Sequence, residues 1–146
     1  MVSLHFFQVA TILLSVSAET VTVTSEKLYD DPLRPLSEVA CWRKNTGFMP
    51  NLNWKLQKDA GAFIGIPAIK GPGSAACFSC WEVNFDGVMK YFLALDGTKS
   101  DFVLSVKGIQ SLTSEAQEFV TLDANATEVD VLNCGLSVYE IHAYDF

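Results

Sequence analysis

Positive charge and histidine are scarce in this sequence, and each scarcity narrows what the chain can do. Ten lysines and arginines stand against 17 acidic residues, giving a formal net charge of -7. Phosphate binding needs clustered cations, so the composition argues against a nucleic-acid partner, and equally against docking on an anionic lipid membrane. The two histidines, His5 and His142, sit near opposite ends of the chain and give no support to a histidine-based nucleophile. No apolar run approaches the roughly 20 residues that a membrane-spanning helix needs. Internal repeats, low-complexity tracts and charge blocks are also missing. The glycine-rich GPGS at 71–74 is followed by Ala75 and Ala76 rather than the Lys and Ser or Thr of a phosphate-cradling loop, so it reads as a connector.

What is present points outside the cell. Residues 1–18 carry no Asp, Glu, Lys or Arg, run apolar from Val9 to Leu14, and end in the small-x-small pattern Val16-Ser17-Ala18. That is the layout of a secretory signal peptide, with cleavage after Ala18 and the terminal amine as the positive charge of its first region. All the acidic and basic residues follow it, so the excess negative charge belongs to the mature chain. At 146 residues the sequence is the size of one ordinary domain.

Cys41, Cys77, Cys80 and Cys134 form an even set, which an oxidising compartment converts into disulfides. Joining Cys77 to Cys80 closes a small strained loop, whereas bridges to distant partners remove more chain entropy, about 2 to 5 kcal/mol each. Both distant pairings remain open on these grounds. A redox role for CFSC would place the pair at the start of a helix, yet WEVNF follows with strand alternation. A zinc site would want a second closely spaced pair. No metal and no cofactor is called for.

The pattern along the chain is one of short strands. Val21 onward alternates as far as Tyr29, before Asp30, Asp31 and Pro32 interrupt it; Leu36–Cys41 is a second strand candidate, and the Asn, Gly and Pro after Trp42 mark a loop. Asn53 is placed to cap a helix reaching Asp59, with Gly61 closing it. A small apolar run covers Ile66–Ile69. Trp81–Phe85 and Met89–Asp96 are strands joined by Asp86-Gly87, a strong hairpin signal. Val103–Leu112 fits either strand or helix, Ser114 with Gln117 resembles a capping box, and Phe119–Leu122 and Val129–Leu132 read as closing strands. Short strands at close spacing favour a barrel over a parallel α/β sheet.

Five segments then carry a family likeness in order: VTSEKLYDDP, CWRKNTGF, CFSCW, FLALDG and LDANATEVDVLNCGL. Together they resemble the cerato-platanin family over about Val21 to Leu136. The resemblance implies a mainly β fold with short helices, a six-stranded double-psi barrel related to the first domain of expansins, and two disulfides pairing Cys41 with Cys77 and Cys80 with Cys134. It divides the chain into a signal peptide (1–18), a cerato-platanin-like domain (19–136) and a C-terminal extension (137–146). Members are secreted by filamentous fungi, reside in the cell wall or extracellular medium, bind N-acetylglucosamine oligomers and loosen polysaccharide without hydrolysing it. Some are elicitors of plant defence, which implies a host receptor. Three departures stand out. Arg43 occupies the place of an aspartate in the family's CSDG stretch, ALDGTKSD replaces the usual AIDHAG around Asp96, and the tail runs past the usual end.

Asp96 closes a strand at a glycine turn, where a carboxylate can accept hydrogen bonds from sugar hydroxyls. The family likeness ties this aspartate to expansin-like activity. Sugar rings stack on aromatics, which makes Trp42 and Tyr29 carbohydrate-binding candidates, with Trp54 weighed beside them. Trp81, next to the cysteine pair, reads as packing. Asn125-Ala126-Thr127 is an N-glycosylation sequon. Inverting hydrolysis needs two carboxylates about 6.5 to 9.5 Å apart, and neither Asp101 nor Asp123 has a motif to nominate it as the second.

The leading expectation is a monomeric, non-catalytic binder of chitin-type oligosaccharides or other cell-wall polysaccharide, an effector anchored on Asp96 with no catalytic residues. A second reading is a surface-active wall protein that self-assembles through exposed apolar residues such as Phe48 and Phe63. A weak glycoside hydrolase is the third.

Overall fold

The computed structural model describes residues 17–44, 52–114 and 121–137. Most of the expected signal peptide, Phe48, Gln117, Phe119, His142 and nearly all of the C-terminal extension lie outside the described residues. Six strands, β1 (Glu19–Ser25), β2 (Phe63–Ile66), β3 (Cys80–Phe85), β4 (Val88–Gly97), β5 (Phe102–Leu104) and β6 (Thr121–Val129), close into a barrel in the order β1-β5-β2-β4-β3-β6. β1 with β5 and β2 with β4 run parallel, and the remaining neighbours are antiparallel. Two short helices, α1 (Gln57–Ala60) and α2 (Val106–Thr113), pack outside the strands. The mainly β barrel read from the sequence is therefore the fold. Cys41 bonds to Cys77 and Cys80 to Cys134, the pairing implied by the resemblance.

Alternation sets the walls. In β6, Leu122, Ala124 and Ala126 are buried while Thr121, Asp123 and Asn125 face water. β4 behaves differently along its length: its first four residues are exposed and Phe92–Leu95 are buried throughout. The buried half is where neighbouring loops attach, with the Cys41 N–H donating to the Leu95 carbonyl and the Phe78 N–H to that of Ala94. The β3–β4 turn has both central residues in the left-handed region, Asp86 at φ 50° and Gly87 at φ 83°, as a two-residue hairpin of this twist requires.

Several boundaries differ from expectation, each for a local reason. The first strand stops at Ser25 rather than Tyr29, because the Glu26 carboxylate accepts the Leu28 N–H at 2.9 Å and winds Lys27–Asp30 into a 3-10 turn. Leu36–Cys41 is not a strand. The Leu36 N–H goes to the Lys55 carbonyl and the Ala40 N–H to a side chain, so Leu36–Glu38 forms another 3-10 turn. Asn53 sits at φ 50° and does not cap α1, whose first turn is closed by the Asp59 carboxylate accepting from the Lys55 and Leu56 N–H groups, each at 2.9 Å. Those two backbone bonds hold the Asp59 carboxyl below its usual range. The apolar run Ile66–Ile69 contributes only Ile66 to β2, which begins earlier, at Phe63.

The ambiguous segment after Phe102 resolves into both elements: β5, then α2, with Ser105 accepting the Gly108 N–H at 2.9 Å as N-cap. Ser114 lies at φ 59° and ends α2, and the turn expected after it lies outside the described residues. The two closing strands are a single strand, β6, which runs through the sequon because β1 pairs with it on one side and β3 on the other. Val131–Cys134 is a 3-10 turn, so the second predicted strand is lost beyond Val129.

Candidate functional site

Asp96, at the end of β4, is the point where three parts of the chain meet. Its Oδ1 accepts the N–H of Ala40 and that of Gly97, both at 2.9 Å, and its Oδ2 accepts the Tyr29 hydroxyl at 2.8 Å. An ionised carboxylate offers about four acceptor positions, so three internal donors leave roughly one for a ligand. Ala40 is the second residue before Trp42. That half-buried indole packs against the core beside the Cys41–Cys77 bridge, and its backbone N–H donates to the Val39 carbonyl. Asp96, Tyr29 and the segment leading into Trp42 thus share one corner of the barrel.

Tyr29 reaches Asp96 along the outside of β2. Its ring lies 4.6 Å from that of Phe63, and its hydroxyl crosses above Gly65, where a Cβ would stand 2.7 Å from the phenolic oxygen. Burial pushes the Tyr29 hydroxyl far above the usual tyrosine range, and the neighbouring Asp96 carboxylate adds to the effect. The hydroxyl therefore stays a hydrogen-bond donor.

Behind the ring lies a polar network that no sequence motif announced. The Arg34 guanidinium sits 5.9 Å from the ring centroid, donates from Nε to Glu38 at 2.7 Å, and donates from one terminal nitrogen to the Gln57 side-chain oxygen at 3.0 Å. Gln57, only 3% exposed, sends its amide hydrogens to the carbonyls of Leu28 at 3.0 Å and Asp31 at 2.5 Å. This network fixes the turn that carries Tyr29. A lone Arg in loop-like sequence and a lone Gln in a short expected helix give no periodic signal, and only their burial reveals them.

The other nominated residues lie elsewhere or in lesser roles. Arg43 is exposed, and Trp54 packs half-buried on the core. Trp81 meets Phe102 edge to face at 5.2 Å and donates its indole N–H to Ser79 at 2.9 Å. Asp101 accepts the Ser100 hydroxyl at 3.2 Å in the turn after β4. Asp123 is exposed on β6, where it accepts the Thr22 hydroxyl at 3.3 Å. By register Asp123 stands level with the β3–β4 turn, and Asp96 lies eight residues up β4 from Val88, about 26 Å along the strand. That separation is too great for an acid and base pair on one glycosidic bond. Asn125 is exposed on the outer face of β6 and accepts the Thr20 hydroxyl at 3.3 Å, away from the Asp96 corner. Among the described residues, no group of three or more His, Cys, Asp or Glu could hold a metal ion.

The family model for cerato-platanin matches residues 21–136. The heat-stable 19 kDa antigen of Coccidioides posadasii (strain C735) is 28% identical over 126 residues, covering 82% of this chain and 84% of that protein. The antigen of the same description from Coccidioides immitis (strain RS) is 27% identical over the same span, with the same coverage of both chains. Among solved structures, cerato-platanin 3 from M. perniciosa superposes with a TM-score of 0.71 at 20% identity, over 81% of this chain and 100% of its own. The solution structure of the fungal elicitor cerato-platanin gives 0.66 at 24% identity, over 78% and 96%. At these identities the structural likeness speaks for the fold alone.

Proposed function

The chain belongs to the cerato-platanin family, and from that premise we infer that it is a secreted, non-hydrolytic protein that binds N-acetylglucosamine oligomers and loosens cell-wall polysaccharide. The observation that carries this reading is the convergence on Asp96 of Tyr29, Ala40 and Gly97. A carboxylate held by three donors is a fixed acceptor, suited to anchoring a sugar hydroxyl and poorly suited to shuttling protons. The disulfides and the leader-like composition of residues 1–18 support export. The exposed sequon residue Asn125 is in turn read as a carrier of an N-glycan, which a mass loss on enzymatic deglycosylation would report. A host receptor is proposed as a second partner.

Titration with N-acetylglucosamine oligomers, followed by NMR, tests the reading. Saturable shifts are expected at the Ala40 and Gly97 amides, the two that point at Asp96, and Asp96→Asn weakens them. Unmoved amides at both positions, or release of product sugar by the purified protein, would overturn it.

A specific observation favours a second, surface-active reading. Phe63 does not contribute to it, being 4% exposed in the core, but the β3–β4 hairpin presents Val88, Met89 and Tyr91 to water at 40%, 48% and 39% exposure. Concentration-dependent light scattering that disappears in Val88→Ser/Met89→Ser is the result expected of it.

A further inference from the structure

A cleft of about 340 Å³ opens between the Tyr29 turn, α1 and α2, at the end of β2 remote from Asp96. Its volume falls near the lower end of small-molecule sites, about 300 Å³. Half-buried Tyr29 gives it an aromatic edge, and Phe92, 2% exposed, closes the floor beneath. Two lysines line it from different walls, Lys58 on α1 and Lys107 on α2. In a chain of net charge -7 these two cations are conspicuous: neither takes part in the Arg34–Glu38 ion pair, and Lys58 acts electrostatically on the Asp59 carboxylate beside it.

The cleft also holds a negative charge, and its state matters. The Asp30 carboxylate is committed to the start of α2, accepting the Val106 N–H at 2.8 Å and the Lys107 N–H at 3.1 Å. The helix end, equivalent to roughly half a positive charge, offsets part of this carboxylate, and the two lysine side chains supply the positive charge on either side of it. Two hydroxyls complete the lining with complementary capacities. Ser105 already accepts from the Gly108 N–H and keeps its proton to donate, while Ser111 donates to the Gly108 carbonyl at 2.6 Å and keeps lone pairs to accept.

An apolar floor, a hydroxyl donor, a hydroxyl acceptor and two cations on facing walls describe a ring that carries both hydroxyls and a carboxylate. We propose that this cleft binds an acidic sugar, a uronate residue of a wall polysaccharide, with its carboxylate between Lys58 and Lys107. The site is separate from the Asp96 corner, sharing only Tyr29 as a wall, and does not depend on binding of N-acetylglucosamine oligomers there.

The test is NMR titration of the intact domain with trigalacturonate, beside neutral galactotriose and sodium acetate at matched ionic strength. Saturable shifts at the amides of Gly61 and Gly108, one on each wall, are expected from trigalacturonate alone. In Lys58→Gln/Lys107→Gln the dissociation constant rises between about two- and thirtyfold, as the loss of two exposed charge pairs implies. Unchanged Ala40 and Gly97 amides in that variant certify its fold and separate this outcome from any failure at Asp96. Equal shifts from galactotriose or from acetate, undiminished binding by the double variant, or no saturable shift would each overturn the assignment.

Discussion

The Tyr29 hydroxyl donates to Asp96 at 2.8 Å, joining residues 67 positions apart in sequence. That bond fastens the turn after β1 to the end of β4 and holds the candidate carboxylate in one orientation. Its loss should be measurable without any ligand.

Tyr29→Phe removes the donor and keeps the ring on Phe63. A hydrogen bond to a charged acceptor contributes about 1.5 to 3 kcal/mol, so urea unfolding at neutral pH is expected to show a loss in that range. The pH dependence adds a second signature. The folded hydroxyl titrates above its unfolded range, so its contribution is whole below about pH 10 and is lost as pH rises, because the unfolded chain releases the proton first. The native domain should lose up to about 1.4 kcal/mol per pH unit above pH 10 on this account, and Tyr29→Phe should lack that increment.

Two glycines around this bond test its packing. Gly65→Ala would place a Cβ 2.7 Å from the Tyr29 hydroxyl and 2.9 Å from the Thr98 methyl, side-chain atoms that can shift at the expense of the Asp96 bond. Gly97→Ala would drive its Cβ onto the backbone carbonyl oxygen of Ile69, which cannot move alone. Overpacking of this kind typically costs about 1 to 3 kcal/mol. Gly97→Ala is expected to be the more damaging in thermal unfolding, and the reverse order would contradict the geometry.

Gln57→Ala strips the carbonyls of Leu28 and Asp31 of their side-chain donor and removes an acceptor from Arg34. Both carbonyls keep a backbone donor, the Asp31 N–H on Leu28 and the Arg34 N–H on Asp31, so the cost is that of three lost hydrogen bonds at about 1 kcal/mol each. A total loss of about 3 kcal/mol is expected by denaturant titration, with Tyr29 ring resonances broadened because its supporting turn loosens.

The bridges close loops of 36 and 54 residues. Chain-entropy arguments give each about 4 kcal/mol, slightly more for the longer loop. Paired Cys→Ser replacements, compared by calorimetry, should therefore both lower the melting temperature steeply, with loss of Cys80–Cys134 at least as severe as loss of Cys41–Cys77.

How much was legible in the sequence depended on whether local preference and tertiary demand agreed. Asp86-Gly87 could be read because the turn's positive φ values select those residues wherever they occur. Asn125-Ala126-Thr127 looked like a break between strands, since Asn and Ala have little strand preference, but pairing on both edges overrides propensity there. Leu36–Cys41 failed in the opposite sense: its apolar residues serve the core from an irregular turn, and the N–H of Ala40 goes to Asp96 instead of a neighbouring strand. At the site, Asp96 and Tyr29 were nominated separately, and nothing local foretold that they bond to each other. Arg34 and Gln57 were missed, because a satisfied buried polar pair leaves no trace in hydrophobic periodicity.

One of the two neighbours of β1 in the barrel is β6, so the first and last of its six strands to leave the ribosome must find one another. Until Val129 has emerged, β1 and β3 each present an open edge and the cylinder has a gap along its length. Closure is thus a late, long-range event that favours slow folding, and a growing chain of this design remains a threadable strand of polymer for most of its synthesis.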